Sequence, residues 1–490
     1  MTSPFGIDVA LPGLDAAEVA QGLDRLSRPP DWLTAIEDPQ RLRDDLESSV
    51  PELASGAVRL VSCKFKRAYV DGPGWQTLCR LMVEDATGAT PRQVDVHGYL
   101  AAPGVDVPPT AADSYRFGAD HRYSLPDPRP VLDERPPDDG LPALAVLADR
   151  ETARSVLERA LRTSRADLAD LQLAGCTPTV MRHREGRRCT IRYELDYRPE
   201  LRQPHWPLSI VAKLYGGEEA RTTYTGMTAL WDSPLRRSST VRIAEPLALV
   251  PELDVMVQST LPGDHTLKDE IRTAFAAGLD AGIATLADPV RRAGRGLAEL
   301  HGSQALSGST VTWTSRVAAL RDAVDQLDAA VPSFAGALHP LIRTLEVAAA
   351  NVPAQPLVAT HGSFRPAQIL LDNGNLGFLD FDGCCQAEPG VDLALFRTTL
   401  CDLSLRALTL DDRRPLTDAE GRAAMDGLDG LCATFLSGYQ EVCEIAPDRL
   451  ALWDALTSAK DIVDCWRKIK FEHLERRLAF IRRRLAPVSR

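Results

Sequence analysis

At 490 residues the chain exceeds one typical domain, and 44% hydrophobic with 25% charged residues is the balance of a globular protein with two or three folded units, not of a disordered one. A net charge of -12 excludes the basic footprint of a general nucleic-acid binder. Ten cysteines without a CxxC pair, two of them adjacent at Cys384 and Cys385, exclude a disulfide framework or zinc ribbon; with no run near the roughly eighteen apolar residues of a membrane span, and no basic-then-apolar leader over residues 1–20, a cytoplasmic protein without transmembrane segment is expected.

In chain order, residues 1–30 are punctuated by Gly and Pro and read as a loosely attached arm. A helix is predicted over 38–46, then strands over 58–63, 77–83 and 94–100, the first two separated by the turn Asp71-Gly72-Pro73-Gly74. A similar pattern recurs. Residues 36–46 align with 147–157, pairing Asp38 with Asp149, Arg43 with Arg154 and Leu46 with Leu157; residues 94–100 align with 210–216. Residues 31–142 are read as a degenerate duplicate of the small lobe that follows at 143–265, the alternative being two unrelated α+β segments. In the second copy a helix is predicted over 150–161 and strands over 178–182, 189–197 and 208–215, with the turn Glu185-Gly186-Arg187-Arg188 between the first two. The third strand contains Val211-Ala212-Lys213, where the first copy has His97.

Beyond residue 265 the pattern turns helical. Asp288-Pro289 suits an N-cap and first helical position for a helix over 288–303, with His301 structural. Further helices are predicted over 316–327, 335–350, 392–407, 418–441 and 449–485. The last carries Arg467, Lys468, Lys470, Arg476, Arg477 and Arg482 to Arg484 above Leu474, Leu478, Ile481 and Leu485, which reads as a packed helix with a solvated basic face, or as the docking face of an anionic partner.

The chemistry concentrates in residues 357–392. Two short apolar runs, 369–371 and 376–379, flank Asp372-Asn373-Gly374-Asn375, a combination suited to positive φ in a hairpin turn. His361 and Gln368 precede the first run, and Asp380 and Asp382 follow the second. The stretch resembles the aminoglycoside phosphotransferase and choline kinase family, whose HGDxxPxN-type loop, (I/L)DF(D/E) turn and DPxxD segment correspond to residues 361–368, Leu379-Asp380-Phe381-Asp382 and Glu388-Pro389-Gly390-Val391-Asp392.

The resemblance implies an α+β, bilobal protein-kinase-like fold, with a small lobe at 143–265 and a mostly α C-lobe at 266–490. It implies ATP and Mg²⁺ as cofactors and phosphorylation of a hydroxyl on a small molecule or peptide. Lys213 would hold the ATP phosphates, Asp380 and Gln368 would ligate Mg²⁺, Asp382 would offer a second carboxylate, and His361 would buttress the catalytic loop. Residues 255–263 resemble the hinge that reads adenine, which makes Val257 and Gln258 cofactor candidates. The family's proton-accepting Asp is Ser363 here, and a serine hydroxyl has no useful basicity near neutral pH, so catalysis is expected to be weakened. The alternative is a pseudokinase presenting a peptide or partner protein, with the duplicated lobe as the docking element. Glu218 and Glu219 are expected at a helix end, not as partners of Lys213.

Overall fold

The computed structural model describes residues 16–28, 39–71, 74–85, 88–99, 122–124, 130–134, 140–184, 186–305, 308–331, 334–410 and 418–485. Packing divides the chain into two units that interleave in sequence. One is built from the described residues of Asp138–Trp313 and Pro353–Asp454, the other from those of Asp8–Pro137, Thr314–Val352 and Ala455–Arg490. The expected succession of consecutive segments therefore differs from the packing units, because the helices Trp313–Ala330 and Phe334–Asn351 and the chain's end group with the N-terminal residues.

In that second unit, Ala16–Leu26 is a helix that buries Val19, Leu23 and Leu26, so this part of the expected loose arm is packed. Gly22 makes the approach possible: a Cβ there would run into the Ala337 carbonyl of Phe334–Asn351. The unit's sheet has the order Arg59–Asp71, Gly74–Asp85, Gly88–Tyr99, Pro130–Glu134, Arg122–Ser124, all antiparallel. The backbone of His97 pairs with Gln76 and Val131. The His97 side chain, Glu185 and residues 135–139 lie outside the described residues.

In the first unit a short helix Ala143–Ala148 leads into the helix Arg150–Ser164, whose N-cap Asp149 accepts from Thr152 N–H. Its sheet runs Gly175–Arg184, Arg188–Asp196, Ser209–Tyr215, Val255–Ser259, Pro246–Val250, again antiparallel. Period-two alternation sorts the side chains of the central strands. Cys189, Ile191 and Tyr193, then Ile210, Ala212 and Leu214, then Val255 and Val257, share one buried core with Ala153, Leu157 and Leu161 of the helix. Arg188, Val211, Lys213, Tyr215 and Gln258 therefore face the opposite side, and that face carries the chemistry described below.

The helical half follows. Thr266 and Asp269 form a capping box at the start of Leu267–Ala276. The next helix runs Leu279–His301 with Pro289 inside it, so the predicted start at Asp288 is wrong: Asp288 instead accepts from Arg292 Nε at 2.8 Å one turn on. Ile369–Asp372 and Asn375–Phe378 form the expected hairpin, with Asn373 and Gly374 at φ 46° and 87°. The single helix expected over 449–485 is two, Pro447–Arg467 and Leu474–Leu485, broken where Ile469 takes φ 48°. Leu474, Leu478 and Ile481 are buried, as the packed reading of that face requires. Among the described residues no helix is long and apolar enough to cross a membrane.

Candidate active site

The site begins where the Asn375–Phe378 strand ends. Asp380 takes the left-handed conformation, φ 67° and ψ 56°, uncommon for a non-glycine residue but tolerated by Asp. That turn aims its carboxylate at Lys213, whose Nζ lies 3.2 Å from Asp380 Oδ1 and 2.7 Å from Asp382 Oδ1. Tyr215, two residues further along the Lys213 strand, donates its hydroxyl to Asp382 Oδ1 at 3.1 Å. A second cation, missed in the sequence, completes the group: Arg188 lies 3.3 Å from Asp380 Oδ1 and forms an ion pair with Asp382 Oδ2. Strand register puts Arg188 opposite Tyr215, on the face of Lys213. Burial would raise the Asp380 pKa, but Lys213 and Arg188 outweigh it and hold the carboxyl well below the usual carboxylate range. Burial pulls the Lys213 ammonium toward its neutral form, and Asp380 opposes that pull.

The loop before Arg188 is pinned by backbone-to-backbone packing. A Cβ on Gly216 would come within 2.5 Å of Gly186 O, and one on Gly140 within 2.5 Å of Gly186 Cα. Three glycines thus share one close approach where the sequence offered only Gly186 in a turn. Glu219 opens the helix Glu219–Trp231, and Glu218, at its N-cap, makes no side-chain capping bond. Neither is a partner of Lys213, whose bonds go to Asp380 and Asp382.

The loop 361–368 is held from below. The buried Asp392 carboxylate accepts from His361 N–H at 2.6 Å, Phe364 N–H at 3.4 Å and His301 Nε2–H at 3.2 Å. His301 Nδ1 meets the Tyr439 hydroxyl at 2.8 Å, so His301 is structural and orients the anchor. Gly362 has φ 72°, and a Cβ there would collide with Gly383 O, so the His-Gly pair stacks tightly under the Asp380 turn. Glu388 is bound by both ends of Arg449 at 2.7 Å and by Trp453 Nε1 at 3.3 Å, a buried structural pair.

Hydrogen-bond direction gives the tautomer of His361 and the partner of the Ser363 hydroxyl. His361 Nε2 lies 2.9 Å from Leu379 O, which only accepts, so Nε2 carries the proton. Nδ1 is then bare and accepts from the Ser363 hydroxyl at 3.3 Å. Burial lowers the His361 pKa, keeping the ring neutral at pH 7. Gln368 Nε2 donates to Ser363 Oγ at 3.1 Å, leaving one Oγ lone pair for an incoming hydroxyl.

Two amides fit absent ligands. Gln368 Oε1 is buried without a partner, and Gln368 O accepts from Leu379 N–H at 2.9 Å, so this orphaned oxygen belongs to the residue beside Asp380 across the hairpin's open end. Among the described residues no three His, Cys, Asp or Glu side chains gather as a metal cage. Gln258 Oε1 is likewise buried and unpartnered, on the Lys213 face two residues along the strand from Lys213's partner Met256. The Val257 side chain is fully buried in the core on the opposite face, whereas the contact expected of a hinge is made by backbone groups.

Comparison with known proteins bears on the same segment. Residues 263–428 match the family model APH, the phosphotransferase enzyme family. The APH segment contains His361, Ser363, Gln368, Asp380, Asp382 and Asp392, whereas Lys213 and Arg188 precede it. No curated protein matches the chain. Solved structures similar to it include a glucosamine kinase in complex with glucosamine, ADP and inorganic phosphate (17% identity, 93% of this chain and 98% of that one, TM-score 0.42). They also include aminoglycoside phosphotransferase APH(3'')-Id from Streptomyces rimosus (19%, 63% and 97%, TM-score 0.33) and choline kinase from Cryptosporidium parvum (10%, 67% and 94%, TM-score 0.38).

Proposed function

We propose that the chain is an ATP- and Mg²⁺-binding phosphotransferase acting on a hydroxyl of a small molecule or peptide, with transfer slowed by Ser363. The observation that carries this reading is the meeting of Lys213 with Asp380 and Asp382, residues 167 and 169 positions away in sequence. A buried ammonium beside two carboxylates is costly as a purely structural device. It is useful where a polyphosphate and a divalent cation exchange into the same charges. In this reading Lys213 holds phosphates, Asp380 and Gln368 hold the metal, Gln258 faces the base, and Asp382 is the second carboxylate. Bound Mg·ATP would supply the transferable phosphoryl group and neutralise its charge.

Thermal unfolding tests the reading. Mg·ATP at about 100 times its Kd should stabilise the chain by about 2.7 kcal/mol. Lys213→Ala and Asp380→Asn should each remove that gain, and Asn is the apt replacement because it tolerates φ 67°. Unchanged stabilisation in both variants means that the nucleotide binds elsewhere.

A second reading, nucleotide binding without transfer, is favoured by one observation: Ser363 donates to His361 and offers an incoming hydroxyl a lone pair but no carboxylate. The N-terminal sheet is further proposed to be a degenerate copy of the small lobe. Its support is the strand order, first-second-third-fifth-fourth in both sheets once Val241–Ile243, which pairs elsewhere, is set aside.

A further inference from the structure

We propose that Arg188 is a second polyphosphate ligand, which leaves Asp382 to join Lys213 on the nucleotide; the proposal rests on the nucleotide reading above. Three observations carry it. Arg188 opens its strand beside the turn locked by Gly140, Gly186 and Gly216, so its backbone position is fixed. Its side chain lies on the Lys213 face by register, and it is largely buried at 16% exposure, against 7% for Lys213. Among the described residues, the ion pairs of both cations run to the same two carboxylates.

That group is electrically closed, two cations against two anions, and a polyphosphate anion can enter only by taking cations from the carboxylates. Lys213 alone is a point charge, whereas a guanidinium fork binds two phosphate oxygens at once. Removing both cations from Asp380 and Asp382 leaves two adjacent carboxylates, which a divalent cation then satisfies. Polyphosphate and divalent cation are therefore coupled: each should raise the other's affinity, by the same factor in both directions.

Calorimetric titration of the full chain with ATP, ADP and AMP, with and without Mg²⁺, tests this. Arg188→Ala should weaken ATP binding by about 10- to 100-fold, the range for charged hydrogen bonds, should barely change AMP binding, and should shrink the Mg²⁺ dependence. Arg188→Lys, which keeps the charge without the fork, should fall between. Circular dichroism confirms folding, and Asp382 keeps Lys213 and Tyr215 as partners in either variant. The proposal is overturned if Arg188→Ala binds ATP as tightly as wild type, or more tightly, while Lys213→Ala still loses affinity; Arg188 is then only a lock on the carboxylates. Failure of the wild type to bind any of the three nucleotides overturns the nucleotide reading and this proposal with it.

Discussion

Ser363→Asp should raise phosphoryl turnover by something on the order of 10²-fold, the lower end of what a positioned general base contributes. In the wild type the Ser363 proton points at His361 Nδ1 and Gln368 donates to Oγ, so an acceptor hydroxyl finds a hydrogen-bond acceptor but no base. Asp382 does not fill the gap: with nucleotide bound as proposed above, the divalent cation would take the place of Lys213 and Arg188 on its carboxylate, which also accepts from the Tyr215 hydroxyl. Positioning and electrostatics survive, and phosphoryl transfer leans on these, so slow wild-type turnover is expected, not none. Coupled ADP release with a suitable acceptor measures both proteins, with Asp380→Asn as the control that should silence each. Wild-type turnover at ordinary kinase rates of about 1–100 s⁻¹ would mean that another residue supplies the base. An unchanged rate in Ser363→Asp would mean that Ser363 does not meet the acceptor.

The second large effect is on stability. Asp392→Ala should destabilise the unit that contains the site by about 3–5 kcal/mol, the cost of removing one partner of a buried charged network. Three donors, His361 N–H, Phe364 N–H and His301 Nε2–H, lose their acceptor in a place no water reaches, since Asp392 is fully buried. Asp392→Asn keeps one acceptor oxygen and should cost less. Urea unfolding followed by tryptophan fluorescence reads this, Trp453 lying within the same unit. A loss under about 1 kcal/mol in Asp392→Ala would show that the loop stands without its anchor.

The spacing of residues 357–392 made the hairpin, the Asp380 turn and the loop under it legible, because turn chemistry and short apolar runs are local signals. Lys213 was singled out by the resemblance of Val211-Ala212-Lys213 to a kinase third strand, and strand alternation puts it on the face of Asp380 and Asp382. Arg188 was not: it stands next to a turn, 192 residues from Asp380, and only the register of its strand with Ser209–Tyr215 brings it to the site. Asp288-Pro289 has the composition of a helix start, yet the stretch from Leu279 to Asp288, about three turns, is already helical, and the helix continues through the proline. The unit boundaries were illegible because an apolar stripe states that a helix packs, not which partner it packs on. Gly22 against Ala337 is such a pairing, formed across more than three hundred residues.

Titration calorimetry of the intact chain with Mg·ATP tests the central claim most directly. One equivalent per chain is predicted, lost in Lys213→Ala and in Asp380→Asn, with the N-terminal sheet contributing no second site. No binding, or binding that both variants retain, would contradict a nucleotide site at Lys213 and Asp380, and two equivalents would contradict a silent N-terminal copy.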